Sequence, residues 1–321
     1  MSKIPSFKAY DVRGVVPTEL NTDLAYKIGR AFTKLLGCKK VIIGHDVRTS
    51  SEDLSAALIN GFTDSGVDVI DIGLCGTEMI YFGTRFLDTD GGIMITASHN
   101  PPEYNGMKFV KRDSVPFGYN SGLDEVEKLI VNNDFDPVAE KKGTVTLKDI
   151  SDEFIKHVGT FYDASKIKPM KVVVNAGNGC VGPMLDRLEK LLPITMIKLF
   201  NEPDSSFPNG VPNPMIEESR IPTINAIKEH KADLGVAWDG DYDRCFFFDE
   251  HGNFIEGYYI VGLLAKSILK SHPGEKIVHD PRLTWNTLEI VEANGGKTVQ
   301  SVSGHAFIKQ VMRKENAVYG G

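Results

Sequence analysis

Short apolar runs alternate with amphipathic stretches along the whole chain. Residues 40–44 (KVIIG) carry an apolar run behind one lysine, as expected of a strand covered on both faces. Thr49-Ser50-Ser51-Glu52 follows as a capping box, and it predicts a helix with Leu54, Leu58 and Phe62 on one face. Residues 67–73 (VDVIDIG) predict the next strand and 77–86 a helix. Residues 91–96 (GGIMIT) predict a third strand, which ends in the polar turn 97–102. The same rhythm predicts strands at 171–175 and 194–200 with helices at 182–192 and 217–231. It returns with helices at 257–270, 285–294 and 305–314 and strands at 276–280 and 297–302. The polar segment 132–142 reads as a connection. Residues 201–214, which hold four prolines and no periodicity, read as a long irregular loop. Alternation of this kind implies an α/β fold of mixed, largely parallel sheets covered by helices. It divides into three units in series, at 1–143, 144–254 and 255–321.

Composition narrows the classes open to such a fold. With 41% hydrophobic and 25% charged residues, the chain is neither disordered nor fibrous. No apolar run approaches the roughly 18 residues of a membrane span. The formal charge of −7 argues against nucleic acid as the main partner. Anionic small molecules stay open, because a local basic pocket outweighs net charge at short range. Residues 1–5 lack the apolar stretch of an export signal. The cysteines at 38, 75, 180 and 245 are too scattered for a metal pair and read as reduced thiols, so a cytoplasmic location is expected.

Four groups of residues carry candidate chemistry. Asp239-Gly240-Asp241-Tyr242-Asp243-Arg244 lies between two apolar runs. Its three carboxylates, two residues apart, can converge on a hard divalent cation such as Mg²⁺, or the segment can be a plain hairpin turn. An EF-hand is excluded, because Arg244 stands where that loop requires glycine. Thr96-Ala97-Ser98-His99-Asn100-Pro101 puts a serine at a strand end, where it can accept and donate a phosphoryl group, or it is a solvated turn. Lys108 follows nearby as a possible base or positive charge. Gly177-Asn178-Gly179-Cys180-Val181-Gly182, with Glu202 twenty residues on, matches the dinucleotide-binding spacing. The same glycines also permit close packing of a strand on a helix. Last, Tyr10, Arg13, Arg282 and His305 are scattered along the chain, and the arginine fork suits phosphate.

Tyr10-Asp11-Val12-Arg13-Gly14, the segment 96–101 and the segment 239–244 together resemble, in order and separation, the signature segments of the α-D-phosphohexomutases. The likeness runs through all 321 residues and is nearest to the bacterial mannose-phosphate branch, through 104–108, 209–214, 257–265 and 279–287. The resemblance implies tandem mixed-sheet α/β/α domains around a cleft. The first domain would carry phosphoserine, the second metal, and the third would recognise sugar. Ser98 would be the phosphoserine, completing a Mg²⁺ site with Asp239, Asp241 and Asp243. Arg13, His99 and Lys108 would surround the transferred group, with Lys108 as a general base. Tyr10, Asn100, Arg244, Arg282 and His305 would contact the substrate.

The implied reaction interconverts hexose 6- and 1-phosphates, of mannose or alternatively glucose, through a bound bisphosphate. Hexose phosphates would be the partners, without nucleic acid or membrane. Members of the family continue past a Gly-Gly stretch into a sugar-binding Glu and a fourth domain. On this reading the third domain is incomplete and the fourth absent, so catalysis could be lost and only binding of phosphosugar or Mg²⁺ retained. An aspartate-nucleophile phosphatase and an NAD-dependent oxidoreductase are the competing chemistries.

Overall fold

In the computed structural model, which describes residues 4–321 apart from the side chain of Ala306, the apolar runs become strands of three separate sheets. Residues 1–3, part of the segment read for an export signal, lie outside the described residues. By density of internal contacts the chain forms two units, 1–252 and 253–321.

The first layer of the larger unit contains β1 (Val12–Val15), α1 (Thr22–Leu36), β2 (Lys40–His45), α2 (Ser51–Asp64), β3 (Asp68–Leu74), α3 (Thr77–Phe86) and β4 (Gly91–Ile95). It continues with β5 (Tyr104–Lys111), β6 (Val115–Pro116), α4 (Leu123–Val131) and β7 (Val145–Leu147). The strand order is β1-β5-β4-β2-β3-β7, with β6 beside β5. The strands β4, β2, β3 and β7 run parallel, whereas β5 is antiparallel to both β4 and β1. The chain therefore leaves the C-terminal end of β4, reverses through residues 96–103 and returns along β5. A loop at the C-terminal end of a parallel strand is where α/β sheets commonly place their chemistry. Because β7 pairs with β3, this layer extends beyond the boundary at 143 read from the sequence.

The core behind the loop is aromatic. Phe32 of α1 meets Phe62 of α2, Phe109 of β5 and Phe117 with ring centroids 5.3–6.0 Å apart. Leu54, Leu58 and Phe62 are buried, as the helical spacing predicts. The capping box does not form. The helix starts at Ser51 with no side-chain cap, because the hydroxyls serve tertiary contacts: Ser50 Oγ accepts from Asn105 and Ser51 Oγ donates to Asp46. Helix α1, missed by the sequence reading, buries Leu24, Ile28 and Phe32 and is capped by the Asn21 side chain.

The second layer contains α5 (Ser151–Val158), β8 (Met170–Asn175), α6 (Gly182–Leu188), β9 (Ile194–Leu199), α7 (Glu217–His230), β10 (Leu234–Trp238) and β11 (Cys245–Phe248). Strands β10, β8 and β9 are parallel and β11 is antiparallel to β10, so residues 239–244 close a hairpin. Val172, Val174, Val181, Leu185 and Val236 form the core of this layer. The helix predicted over 182–192 ends at Leu188 and tightens into a 3₁₀ turn at Glu189–Leu191. The loop 201–214 is irregular, as predicted, yet it buries Phe207.

The smaller unit contains β12 (Phe254–Ile255), α8 (Gly257–Ser271), β13 (Lys276–His279), α9 (Trp285–Ala293), β14 (Lys297–Gln300), α10 (His305–Glu315) and β15 (Tyr319–Gly320). Here β14, β13 and β15 form a parallel sheet over Ala265, Leu269, Ile277 and Val291. All four cysteines are free thiols. Among the described residues no helix is long and apolar enough to cross a membrane.

Candidate active site

The serine loop is built where β4 stops. Ser98 is fully buried and has a positive φ of 52°, a conformation that few non-glycine residues adopt. Its amide donates to Thr96 Oγ1 at 2.8 Å. Its hydroxyl donates to Asp239 Oδ2 at 2.6 Å and lies 3.1 Å from His99 Nδ1. On the neighbouring strand β1, the Arg13 guanidinium grips Asn100 Oδ1 and Asp11 Oδ2, each at 2.6 Å.

The aspartate loop faces Ser98 from the second layer. It is a hairpin turn, with the Tyr242 amide donating to the Asp239 carbonyl, and it is also a convergent donor set. Ligand oxygens of Asp239, Asp241 and Asp243 all lie within 4.8 Å of one another. Residues from the first layer hold the loop in place. Thr77, at the start of α3, donates its amide to the Asp241 carbonyl at 3.1 Å and its hydroxyl to Asp241 Oδ2 at 2.6 Å. The Tyr242 ring lies where a Cβ on Gly76 would stand, 2.2 Å from its nearest atom. Lys108 on β5 reaches across to Asp241 Oδ2 and Asp243 Oδ2, both at 2.6 Å.

Charge is concentrated here under little solvent. Burial raises the Asp239 carboxyl well above the usual carboxylate range, and the charges of Asp241 and Asp243 add to the effect. Burial would raise Asp241 too, but the Lys108 ammonium and the bonds from Lys108 and Thr77 outweigh it and hold Asp241 below that range. Burial would lower Lys108, yet Asp241 and Asp243 keep it above the usual lysine range. Expected as a general base, Lys108 is in this arrangement a protonated counter-charge. His99 is lowered to about 4 by burial, then by Arg244 and Arg13, and is therefore neutral near pH 7.

The residues fit a divalent cation. Asp241 Oδ1 and Asp243 Oδ1 are buried without a hydrogen-bond partner, an arrangement that carboxylates rarely keep unless something positive meets them. An all-oxygen set suits hard cations of the Mg²⁺ and Ca²⁺ type.

Of the residues expected at the site, Ser98, His99, Asn100, Arg13, Lys108, Asp239, Asp241 and Asp243 come together. Arg244 is half-exposed with Nε 3.7 Å from both Asp239 and Asp243. Tyr10 is exposed in the loop before β1. Arg282 and His305 belong to the smaller unit, where Arg282 is paired with both oxygens of Asp280 and His305 opens α10. The sequence reading missed Asp46, Arg48 and Thr77. A largely polar stretch, 45–52, follows β2 but does not single out Asp46 or Arg48, and Thr77 comes after Leu74-Cys75-Gly76 with no polar run to mark it.

The dinucleotide-like glycines are occupied by the chain's own packing. A Cβ on Gly177 would stand 2.3 Å from Pro212, one on Gly179 2.7 Å from the Gly240 carbonyl and one on Gly182 1.7 Å from the Asn201 carbonyl. The backbone of Glu202, not its carboxylate, meets this loop, by accepting from Asn178 Nδ2.

Three family models match in succession: "Phosphoglucomutase/phosphomannomutase, alpha/beta/alpha domain" I over residues 5–137, II over 152–252 and III over 256–321. A phosphomannomutase of Escherichia coli K12 is 52% identical over 100% of this chain and 72% of its own length. A Xanthomonas campestris protein described as phosphohexose mutases is 53% identical over 99% of this chain and 71% of its own. The crystal structure of a phosphoglucomutase/phosphomannomutase family protein from Burkholderia thailandensis superposes with a TM-score of 0.92, at 33% identity. That match covers 100% of this chain and 71% of the other.

Proposed function

This chain belongs to the phosphoglucomutase/phosphomannomutase family, and on that premise we propose that it interconverts mannose 6-phosphate and mannose 1-phosphate through a phosphoserine at Ser98. The carrying observation is the 2.6 Å hydrogen bond from Ser98 Oγ to Asp239, which places a buried hydroxyl against the acidic cluster. Residues 1–143 would supply the phosphoserine, 144–254 the metal loop and 255–321 part of the sugar recognition, with Arg282 and His305 as substrate contacts.

Asp239, Asp241 and Asp243, with the phosphate on Ser98, would hold Mg²⁺, which when bound neutralises charge on the phosphoryl oxygens. The chain's own groups account for the rest. Ser98 carries the phosphoryl group, and when it is the attacking hydroxyl its proton has an acceptor in Asp239. Arg13 and Lys108 bring positive charge to the transferred group, Arg13 fixed by Asn100 and Lys108 fixed by Asp241 and Asp243. Neutral His99 can share a hydrogen bond with the serine oxygen without adding charge. Phosphoryl transfer depends chiefly on such positioning and charge neutralisation.

The test is to incubate the chain with mannose 1,6-bisphosphate and Mg²⁺ and to map the phosphate. Label on Ser98, absent from Ser98→Ala, is the expected result. Label on Asp239, with Ser98→Ala unaffected, would support an aspartate-nucleophile phosphatase instead.

A further inference from the structure

Below the serine loop lies a buried arginine that the reaction as described does not use. Arg48 follows β2 and is 2% exposed. Its Nη1 donates to the carbonyls of Pro101 at 2.7 Å and Tyr104 at 2.9 Å. Its Nη2 donates to those of Ser98 at 3.0 Å and Asn100 at 2.5 Å. Three carbonyls of the reversing loop and that of Tyr104, where β5 begins, thus turn inward onto one planar fork. The arginine is itself anchored. Asp46 faces its Nε at 3.3 Å and accepts its amide and the Ser51 hydroxyl, while the Asp46 amide bonds the carbonyl of Ile95, the last residue of β4. From the second layer the Phe207 ring covers the guanidinium at 5.6 Å.

From this geometry we infer that Arg48 is a positioning residue for phosphoryl transfer at Ser98, an inference that rests on the mutase reading above. Ser98 sits in left-handed backbone, which a serine does not hold without outside restraint. Arg48 supplies the restraint on the carbonyl of the reacting residue itself, while the hydroxyl of the same residue bonds Asp239. Lysine cannot replace it, because one ammonium cannot span four acceptors laid out for a fork. Loss of the fork leaves the fold but lets Ser98 Oγ wander, and a displacement of about 1 Å costs roughly 100-fold in rate.

The test uses the whole chain, wild type against Arg48→Lys, Arg48→Ala and Asp46→Asn, with mannose 1,6-bisphosphate and Mg²⁺ as probe. Two quantities are read: the rate of phosphate loading on Ser98, and amide exchange over residues 98–106. The expected result for Arg48→Lys is about a 100-fold slower maximal loading rate with the half-saturating concentration changed by less than about threefold. Exchange should quicken over 98–106 while β2 and β4 stay protected. Guanidinium ion at non-denaturing concentration should restore part of the rate in Arg48→Ala, which a merely structural role would not allow. Asp46→Asn, which keeps the fork but loosens it, should fall between. Loading by Arg48→Lys at the wild-type rate overturns the inference, as does a loss with no guanidinium rescue and no change in loop exchange. A wild type that takes up no phosphate overturns the mutase reading instead.

Discussion

Gly240 of the aspartate loop packs against the Ser98 carbonyl, and adding one methyl group there tests whether the two loops form a single device. A Cβ on Gly240 would stand 2.6 Å from that carbonyl oxygen, and ordinary contact begins near 3.4 Å, so about 0.8 Å must be found. Neither side can give freely. The Ser98 carbonyl is held by Arg48, and behind Gly240 the Cys180 amide donates to its carbonyl at 3.0 Å. The loops must therefore spread, and the 2.6 Å bond from Ser98 to Asp239 would open beyond the roughly 3.2 Å limit of a good hydrogen bond.

Overpacking of this kind costs about 1–3 kcal/mol. For a unit of this size the thermal midpoint then falls by roughly 2–4 °C per kcal/mol. Misplacement near 1 Å should slow phosphate loading of Ser98 by about 100-fold. Calorimetry and phosphopeptide mapping on Gly240→Ala read both effects. Gly159→Ala is the control, since a Cβ there meets nothing within 4 Å. A Gly240→Ala protein that melts and loads phosphate like wild type would show that the loops are not held in the contact described.

Replacing Asp241 by Asn keeps the volume and deletes one charge, so Mg²⁺ affinity measured by titration calorimetry should fall by at least about tenfold; unchanged affinity would reduce the loop to a turn. His99 is lowered in the folded chain to about 4 from 6.5, so folding favours its neutral form. That contribution is complete above pH 6.5 and is lost as pH falls toward 4. Denaturant midpoints of wild type should accordingly drop more between pH 6.5 and 4 than those of His99→Gln, and parallel curves would remove His99 as the cause. Titration with NAD or NADP should give no saturable signal, because Gly177, Gly179 and Gly182 are filled by Pro212, Gly240 and Asn201; micromolar binding of either would reopen the oxidoreductase chemistry.

The elements that place the site were readable because their signals are local. The run 91–96 marks β4 and the polar turn after it carries Ser98, while the apolar runs around 239–244 mark the β10–β11 hairpin. Helix α1 was equally legible in Leu24, Ile28 and Phe32 at four-residue intervals behind Asn21. The capping box misled because the N-cap falls on Ser50, whose hydroxyl accepts from Asn105 on β5 and does not cap the helix. Arg48 could not be singled out on local grounds. One arginine after a strand reads as solvated surface, and its role exists only once carbonyls some fifty residues later fold over it. Lys108 has the opposite lesson. Its presence near the serine was visible, but its protonation depends on carboxylates more than a hundred residues away.

The serine loop and the aspartate loop each depend on the other layer: Thr77 and Gly76 seat the aspartates, while Phe207 and Gly240 close over Arg48 and Ser98. This imposes an order on synthesis. Domains emerge from the N-terminus at about 5–20 residues per second, so the first layer can collapse around Phe32 well before residues 207–243 exist. During that interval Arg48 lacks its aromatic cover, Lys108 lacks both counter-ions and Ser98 lacks Asp239. A ribosome-bound chain can thus hold a folded first layer with no working centre. On the proposed mechanism phosphate would be taken up only after translation has passed the hairpin, which would tie the onset of chemistry to the arrival of the second layer.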